Sequence, residues 1–305
     1  MLSYLIKRIA FSVPTLLALL VITFSVLRLA PGGPFDGERV LPAEVQANLN
    51  HKYGLDRPVS AQLALWIGNV ARGDLGYSSQ YSDRNVTEVI GNSLPTSMGL
   101  GLSALALALF VGIPLGTFAA WKRNSIWDWG SMFIAVSGVS LPSYLLASLL
   151  ILVFSIQLNW LPPALWEGPE YWILPMITLG ARPAAMIARI TRAAMLESLT
   201  ADYIRTAYAK GLSPFRVVFK HALKNSLIPV VTIAGPIAAQ LVTGSFLVEM
   251  VFQIPGLGKH FVSAVINRDY NLVMATTLLY GVILTLTHLI TDLIYGWVDP
   301  RVRLT

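Results

Sequence analysis

Two stretches of this chain, 93–121 and 129–158, contain no Asp, Glu, Lys or Arg. Each exceeds the ~20 apolar residues that a helix needs to cross a bilayer. A soluble core does not absorb chain of this kind. Charged residues make up 12% of the whole, about half the usual share of a soluble domain. Four further segments are apolar enough to span, at about 9–28, 171–188, 227–250 and 272–297. Arg182 interrupts the fourth, and His288 and Asp292 lie towards the end of the sixth. A spanning segment must satisfy its backbone hydrogen bonds internally, so these are expected to be helices, and the alternation of barrel strands is absent. The fold class expected is an all-α polytopic membrane protein with six transmembrane helices in a single domain, 1–305.

The charges between the spans predict an orientation. Lys7 and Arg8 precede the first span, Lys122 and Arg123 separate the second from the third, and Arg301 and Arg303 follow the sixth. The segment 189–226 carries Arg189, Arg192, Arg205, Lys210, Arg216, Lys220 and Lys224 against only Glu197 and Asp202. With six spans, all these groups fall on one side. The segment 29–92 and the short one around Glu167 and Glu170 fall on the other, with mixed or acidic charge. The positive-inside rule then places both termini in the cytoplasm, with 29–92 as a periplasmic loop. The net charge of +6 is thereby read as membrane orientation and not as affinity for nucleic acid. Lys7 and Arg8 before an apolar run also fit a signal peptide, but the run is longer than the usual ~7–15-residue core, and a retained first helix is expected. Within 29–92, amphipathic stretches at Glu44 to Tyr53 and Ala61 to Val70 predict short helices. Gly112 and Gly116 around Pro114 form a small-residue face for helix contact, within the subunit in the first place or else with a partner.

The segment 189–226 is more than a connector. Asp202 is placed to cap a helix over Tyr203 to Lys210, and Lys210 sits at the negative end of its dipole. Gly211 is placed to stop it in a left-handed conformation. Ser213 offers a second cap, with Pro214 at the first helical position. Phe215, Val218, Phe219 and Ala222 then fall towards one side. A helix of this length is unstable alone in water, where ~12–15 residues is the margin. It therefore docks, either on its own chain or on a separate cytoplasmic protein.

Arg205-Thr206-Ala207, followed after three residues by Gly211, resembles the EAA-xxx-G loop of ABC importer permeases. The stretches Asp202 to Leu212 and His221 to Pro229 look like the peptide and nickel branch of that family. Further marks occur in order along nearly the whole chain: Leu29-Ala-Pro-Gly-Gly-Pro, Gly73-Asp-Leu-Gly76, Glu249 and Phe252 before Ile254-Pro-Gly-Leu-Gly258, Arg268-Asp-Tyr270, and Asp292, Tyr295 and Asp299-Pro-Arg301. Gly37-Glu-Arg39 and Leu41-Pro42 look closest to the oligopeptide members. Arg205 stands where the general motif has Glu, and Pro229 lies farther downstream than its Leu-Pro, which is usual within this branch. The resemblance implies a type I ABC importer permease, forming half of a translocation path for oligopeptides that works by alternating access. Its expected partners are a second homologous permease, two ATP-binding subunits, a periplasmic or lipid-anchored substrate-binding protein and membrane lipid. Arg205, Thr206, Ala207, Lys210 and Gly211 would be the coupling positions. ATP and magnesium would belong to the partner ATPases, with no cofactor in this chain. Dipeptides, nickel or another small solute are the alternative cargoes.

No enzymatic constellation is legible. Gly256-Leu-Gly-Lys259-His260 lacks the GxxxxGK[ST] spacing of a phosphate loop. The histidines at 51, 221, 260 and 288 lack metal-ligand spacing. His288 and Asp292 share a helix face and predict either a path element or an interhelical hydrogen bond. Glu249, expected at the outer end of the fifth span, reads as a substrate contact or a rim salt bridge, and Arg182 as a side chain reaching for the cytoplasmic interface. An intramembrane enzyme would need convergent polar residues that spans two and three lack. A channel or scaffold without an ATPase would have no use for the capped helix pair.

Overall fold

The computed structural model describes residues 2–35, 42–81 and 84–298. The motif residues Gly37-Glu38-Arg39, Leu41, Asp299-Pro300-Arg301 and Arg303 lie outside that set. Thirteen α-helices are found among the described residues. Helix α1 (Leu2–Leu29) is followed by two short helices, α2 (Ala43–Lys52) and α3 (Val59–Val70), close to where the amphipathic stretches predict them. Helix α4 (Val86–Trp121) is capped by the Asn85 side chain, which accepts the Thr87 amide at 2.8 Å.

The third apolar segment corrects the expectation of six uninterrupted spans. Among the described residues five helices are long and apolar enough to cross a membrane, and this segment is not one of them. Helix α5 (Ile126–Ser140) ends at Leu141, whose backbone is extended, and α6 (Ser143–Leu150) starts after Pro142. Proline disfavours helical backbone in the residue before it, and that is where the rod breaks. Helix α6 then continues through π-helical turns from Ile151 to Gln157.

The next two spans also differ from their sequence limits. Helix α7 (Glu170–Thr200) runs well past Ala188, so Arg189 and Arg192 sit on a helix and not in a loop. After α8 (Asp202–Ala209), the chain re-enters helix at α9 (Pro214–Arg216). It passes through π-helical turns at Val217–Ala222 into α10 (Leu223–Val242). The helix stops there, and Thr243 to Ser245 separate it from α11 (Phe246–Val251) and α12 (Leu257–Ile266). Helix α13 (Tyr270–Val298) closes the described chain.

Glycines set the helix packing. A Cβ on Gly112 would lie 2.6 Å from the Ala184 carbonyl oxygen, and one on Gly180 would lie 2.9 Å from that of Ala104. Gly116 meets the Ala188 carbonyl and Gly101 that of Leu241 in the same way. Helices α4 and α7 therefore touch backbone to backbone, with Ala104, Ala108 and Ile187 buried between them and α10. Small residues permit this approach where lipid supplies no hydrophobic driving force between helices. Helix α1 packs on α13, where Gly281 receives Leu16 and Leu19 and Arg8 pairs with Asp292 at 2.5 Å.

Candidate coupling surface and transmembrane cavity

Helix α8 is held against its own chain by two side chains. Ile204 and Ala207 are buried in a cluster with Ala120, Met195, Val217, Val218 and Ala222. Of the five predicted coupling residues, Ala207 thus faces inward, and Arg205, Thr206, Lys210 and Gly211 are exposed. Tyr203 and Tyr208 are exposed beside them. The inner face answers the docking question for half of the helix. The outer face carries two tyrosines and two cations with nothing of this chain above them.

The stop after α8 follows from Gly211. Its φ is +77°, a conformation that costs a side-chain-bearing residue strain. The Gly211 amide donates to the Tyr208 carbonyl at 2.9 Å and the Leu212 amide to that of Ala207 at 3.3 Å. This is the paired closure of a Schellman motif. The caps depart from expectation in detail. Ala201 occupies the cap position of α8, so Asp202 is the first helical residue, and it pairs with Arg205 at 3.6 Å. Ser213 does precede Pro214, but its side chain makes no cap bond. In the next helix Val217, Val218 and Ala222 are buried, whereas Phe215 and Phe219 stay on the surface and pack edge-on against Trp121 at 6.5 and 6.1 Å.

A partly buried ion pair, missed in the sequence, braces this region. Arg192 Nε and Nη2 donate to the two carboxylate oxygens of Asp128 at 2.6 and 2.8 Å. A two-point fork of this kind fixes orientation as well as distance. It joins the start of α5 to α7. Counting Arg192 as a loop charge concealed it, because only the continuation of α7 past Ala188 brings the guanidinium beside Asp128.

Glu249 is neither a rim salt bridge nor a surface group. It lies on α11, beyond the end of the spanning helix, and is fully buried. The Ser97 hydroxyl donates to its carboxylate at 2.8 Å and the Lys259 amide at 3.0 Å, with the Gly258 and Ser245 amides also turned towards it. Burial pushes its pKa up, and these donors pull it back. Ser97 Oγ in turn accepts the Leu257 amide at 2.8 Å. The first amides of α12 are thus satisfied by side chains from α11 and α4, which removes the usual cost of a buried helix end. The Gly256-Leu-Gly-Lys stretch is therefore an anion cradle filled by the chain's own carboxylate. Gly256 and Gly258 give that carboxylate room.

A cavity of about 650 Å³ opens between α5, α6, α7 and α10. Both helix breaks border it, through Leu141 and Pro142 on one side and Gly244 and Ser245 on the other. Non-helical backbone at membrane depth is tolerated where it is covered by protein or lines a wet cavity. Arg182 lines the cavity with Gln240. His288 is half-buried on α13, and Asp292 pairs with Arg8, so the structure does not bring His288, Asp292 and Glu249 into one site.

A family model described as "Binding-protein-dependent transport system inner membrane component" matches residues 112–304. The oligopeptide transport system permease protein OppB of Haemophilus influenzae is 43% identical over 99% of this chain and 100% of its own length. The chain belongs to the binding-protein-dependent transport system inner membrane component family. The dipeptide transport system permease protein DppB of Bacillus subtilis is 42% identical over 100% of this chain and 99% of its own length. Among solved structures, a chain of the inward-facing MetNI methionine ABC transporter matches with a TM-score of 0.58 at 21% identity, over 70% of this chain and 97% of that one. This likeness shows the type I importer permease fold. The chain is a multi-pass permease of a bacterial inner membrane.

Proposed function

We propose that this chain is one of two permease subunits of an ATP-driven peptide importer, lining half of a path that alternates between outward and inward access. The named relatives carry oligopeptides or dipeptides, and their near-equal identity to this chain supports peptides as the cargo class over nickel. Both termini and α8 lie on the cytoplasmic side in this reading, as the Lys and Arg bias requires. ATP and magnesium are held by two partner ATPases, a second homologous permease completes the path, and a substrate-binding protein delivers the cargo from outside. This chain supplies no cofactor site of its own.

One observation carries the reading. Helix α8 is anchored by Ile204 and Ala207 and presents Tyr203, Arg205, Thr206, Tyr208 and Lys210 outward. A short helix braced from within and bare on the outer face is suited to pass motion from an ATPase to α7. The chain contains no cysteine, so a single thiol labels one point. A Tyr208→Cys subunit in native membranes should cross-link to an ATP-binding subunit, and a Phe11→Cys control on α1 should not. Purification of the tagged wild type should also recover a second permease. Recovery of the wild type alone, with no cross-link from α8, would move the channel or scaffold reading forward.

A further inference from the structure

Arg182 is the one charged side chain lining the transmembrane cavity, and no ion pair or hydrogen bond engages it among the described residues. It stands twelve positions into α7, about 18 Å from the Glu170 end at 1.5 Å per residue. Arg189, the next cation, is a further ~10 Å along the same helix. With Glu170 taken as the outer edge of the span, the distance from that end places Arg182 within a bilayer core of about 30 Å and short of the cytoplasmic interface expected for it from the sequence. An ionisable group at that depth is expensive to keep and marks function by default. The other polar side chains lining the cavity are the exposed Gln240 and the hydroxyls of Ser140, Ser143, Thr178 and Ser245, with no carboxylate among them. The guanidinium has five donors and no acceptor, so an anion with planar oxygens completes it.

On the peptide-importer reading, we propose that Arg182 receives the free C-terminal carboxylate of the passing peptide, with Gln240 beside it as a neutral hydrogen-bonding partner. The contact is transient and leaves side chains unselected, since the C-terminal carboxylate is common to all unmodified peptides. The rest of the lining is aliphatic or small, with Leu141, Leu146 and Met186 among it, so it offers the residues of the cargo little to discriminate between.

The test is uptake into proteoliposomes that contain the complete importer and its binding protein, with trialanine and trialanine amide as cargoes. Each cargo is compared between wild type and variant with the same binding protein, so that protein's own preference cancels. Arg182→Gln should slow trialanine about tenfold, the size of one charge-assisted contact, and change the amide less than twofold. Arg182→Lys, which keeps the charge but not the fork, should restore part of the trialanine uptake. Gln240→Leu, at an exposed position, should slow trialanine about threefold and spare the amide, and it serves if Arg182→Gln does not assemble with its partners. Equal slowing of both cargoes, or no slowing of either, would overturn the inference. Wild type that takes up neither peptide would instead sink the peptide reading, and this inference with it.

Discussion

Ser97 and Glu249 lie 152 positions apart and share a hydrogen bond of 2.8 Å inside the protein. The bond ties the long helix α4 to the short α11, and both residues then receive amides from the start of α12. Every neighbour of the Glu249 carboxylate named above is a donor. That arrangement wants an acceptor and nothing else. Glu249→Gln keeps the shape but turns an NH2 towards those donors. It should cost about 2–4 kcal/mol through buried donors left unsatisfied. Thermal unfolding of the purified subunit in mild detergent measures this, and a Gln variant as stable as wild type would refute the acceptor argument.

The contact between α4 and α7 predicts a sharp split among glycines. Gly112→Leu would drive a side chain into the Ala184 carbonyl and Ile187. It should cost about 3 kcal/mol or more, because backbone has no rotamer with which to yield. Gly130, inside α5, has nothing within 4 Å of its missing Cβ. Gly130→Ala should be neutral or gain up to about 1 kcal/mol from the stiffer unfolded chain. Melting temperatures of the two variants should move in opposite directions or differ widely. Similar values would mean that the close approach does not govern packing.

The Asp128–Arg192 fork should behave as a coupled pair. Breaking a fully buried pair costs about 3–5 kcal/mol. Arg192 keeps 27% of its side chain exposed, so Asp128→Asn alone should cost less, roughly 2–3 kcal/mol. The Asp128→Asn/Arg192→Gln double variant should lose less than the sum of the single losses, with a coupling of at least ~1 kcal/mol. A double-variant cycle by denaturant or heat checks this, and strict additivity would argue against the pair.

Gly211 separates backbone strain from surface chemistry. Open space surrounds its missing Cβ, so a substitution there acts through φ alone. Gly211→Val should cost about 1–3 kcal/mol locally and loosen the turn after α8. Gly211→Asn should be milder, since Asn tolerates left-handed backbone. Recovery of ATPase subunits in a tagged purification should fall for Val and largely persist for Asn. Equal recovery would show that the turn does not hold α8 in its working position.

The sequence and the structure agree where composition or one special residue decides the outcome. Apolar run length located five of the six expected spanning segments, and Gly211 and Pro214 bracketed the stop between helices because their backbone preferences are local. The small-residue face at Gly112 and Gly116 was legible for the same reason, since only missing side chains permit that approach. Helix limits were less legible. An amphipathic helix emerging from the membrane keeps its hydrogen bonds after its hydropathy ends, so the extension of α7 to Thr200 and with it the Arg192–Asp128 fork escaped hydropathy. Leu141-Pro142 was readable in principle, yet an unbroken apolar run outweighed one proline. Glu249 could not have been placed. Its donors come from α4, from α12 and from the turn before α11, and only the fold brings them together.

Helix α7 begins beside the acidic Glu167 and Glu170 and ends, with a single residue between, where α8 begins. The contacts at Gly180, Gly112 and Gly116 clamp it to α4 on both sides of Pro183. The helix is splinted like a lever, with its weakest joint held where backbone meets backbone at Gly112, Gly116 and Gly180. From Thr200 to Arg182 that lever is about 27 Å long at 1.5 Å per residue. On the importer reading, a small displacement of α8 would arrive at the cavity as a tilt of its wall.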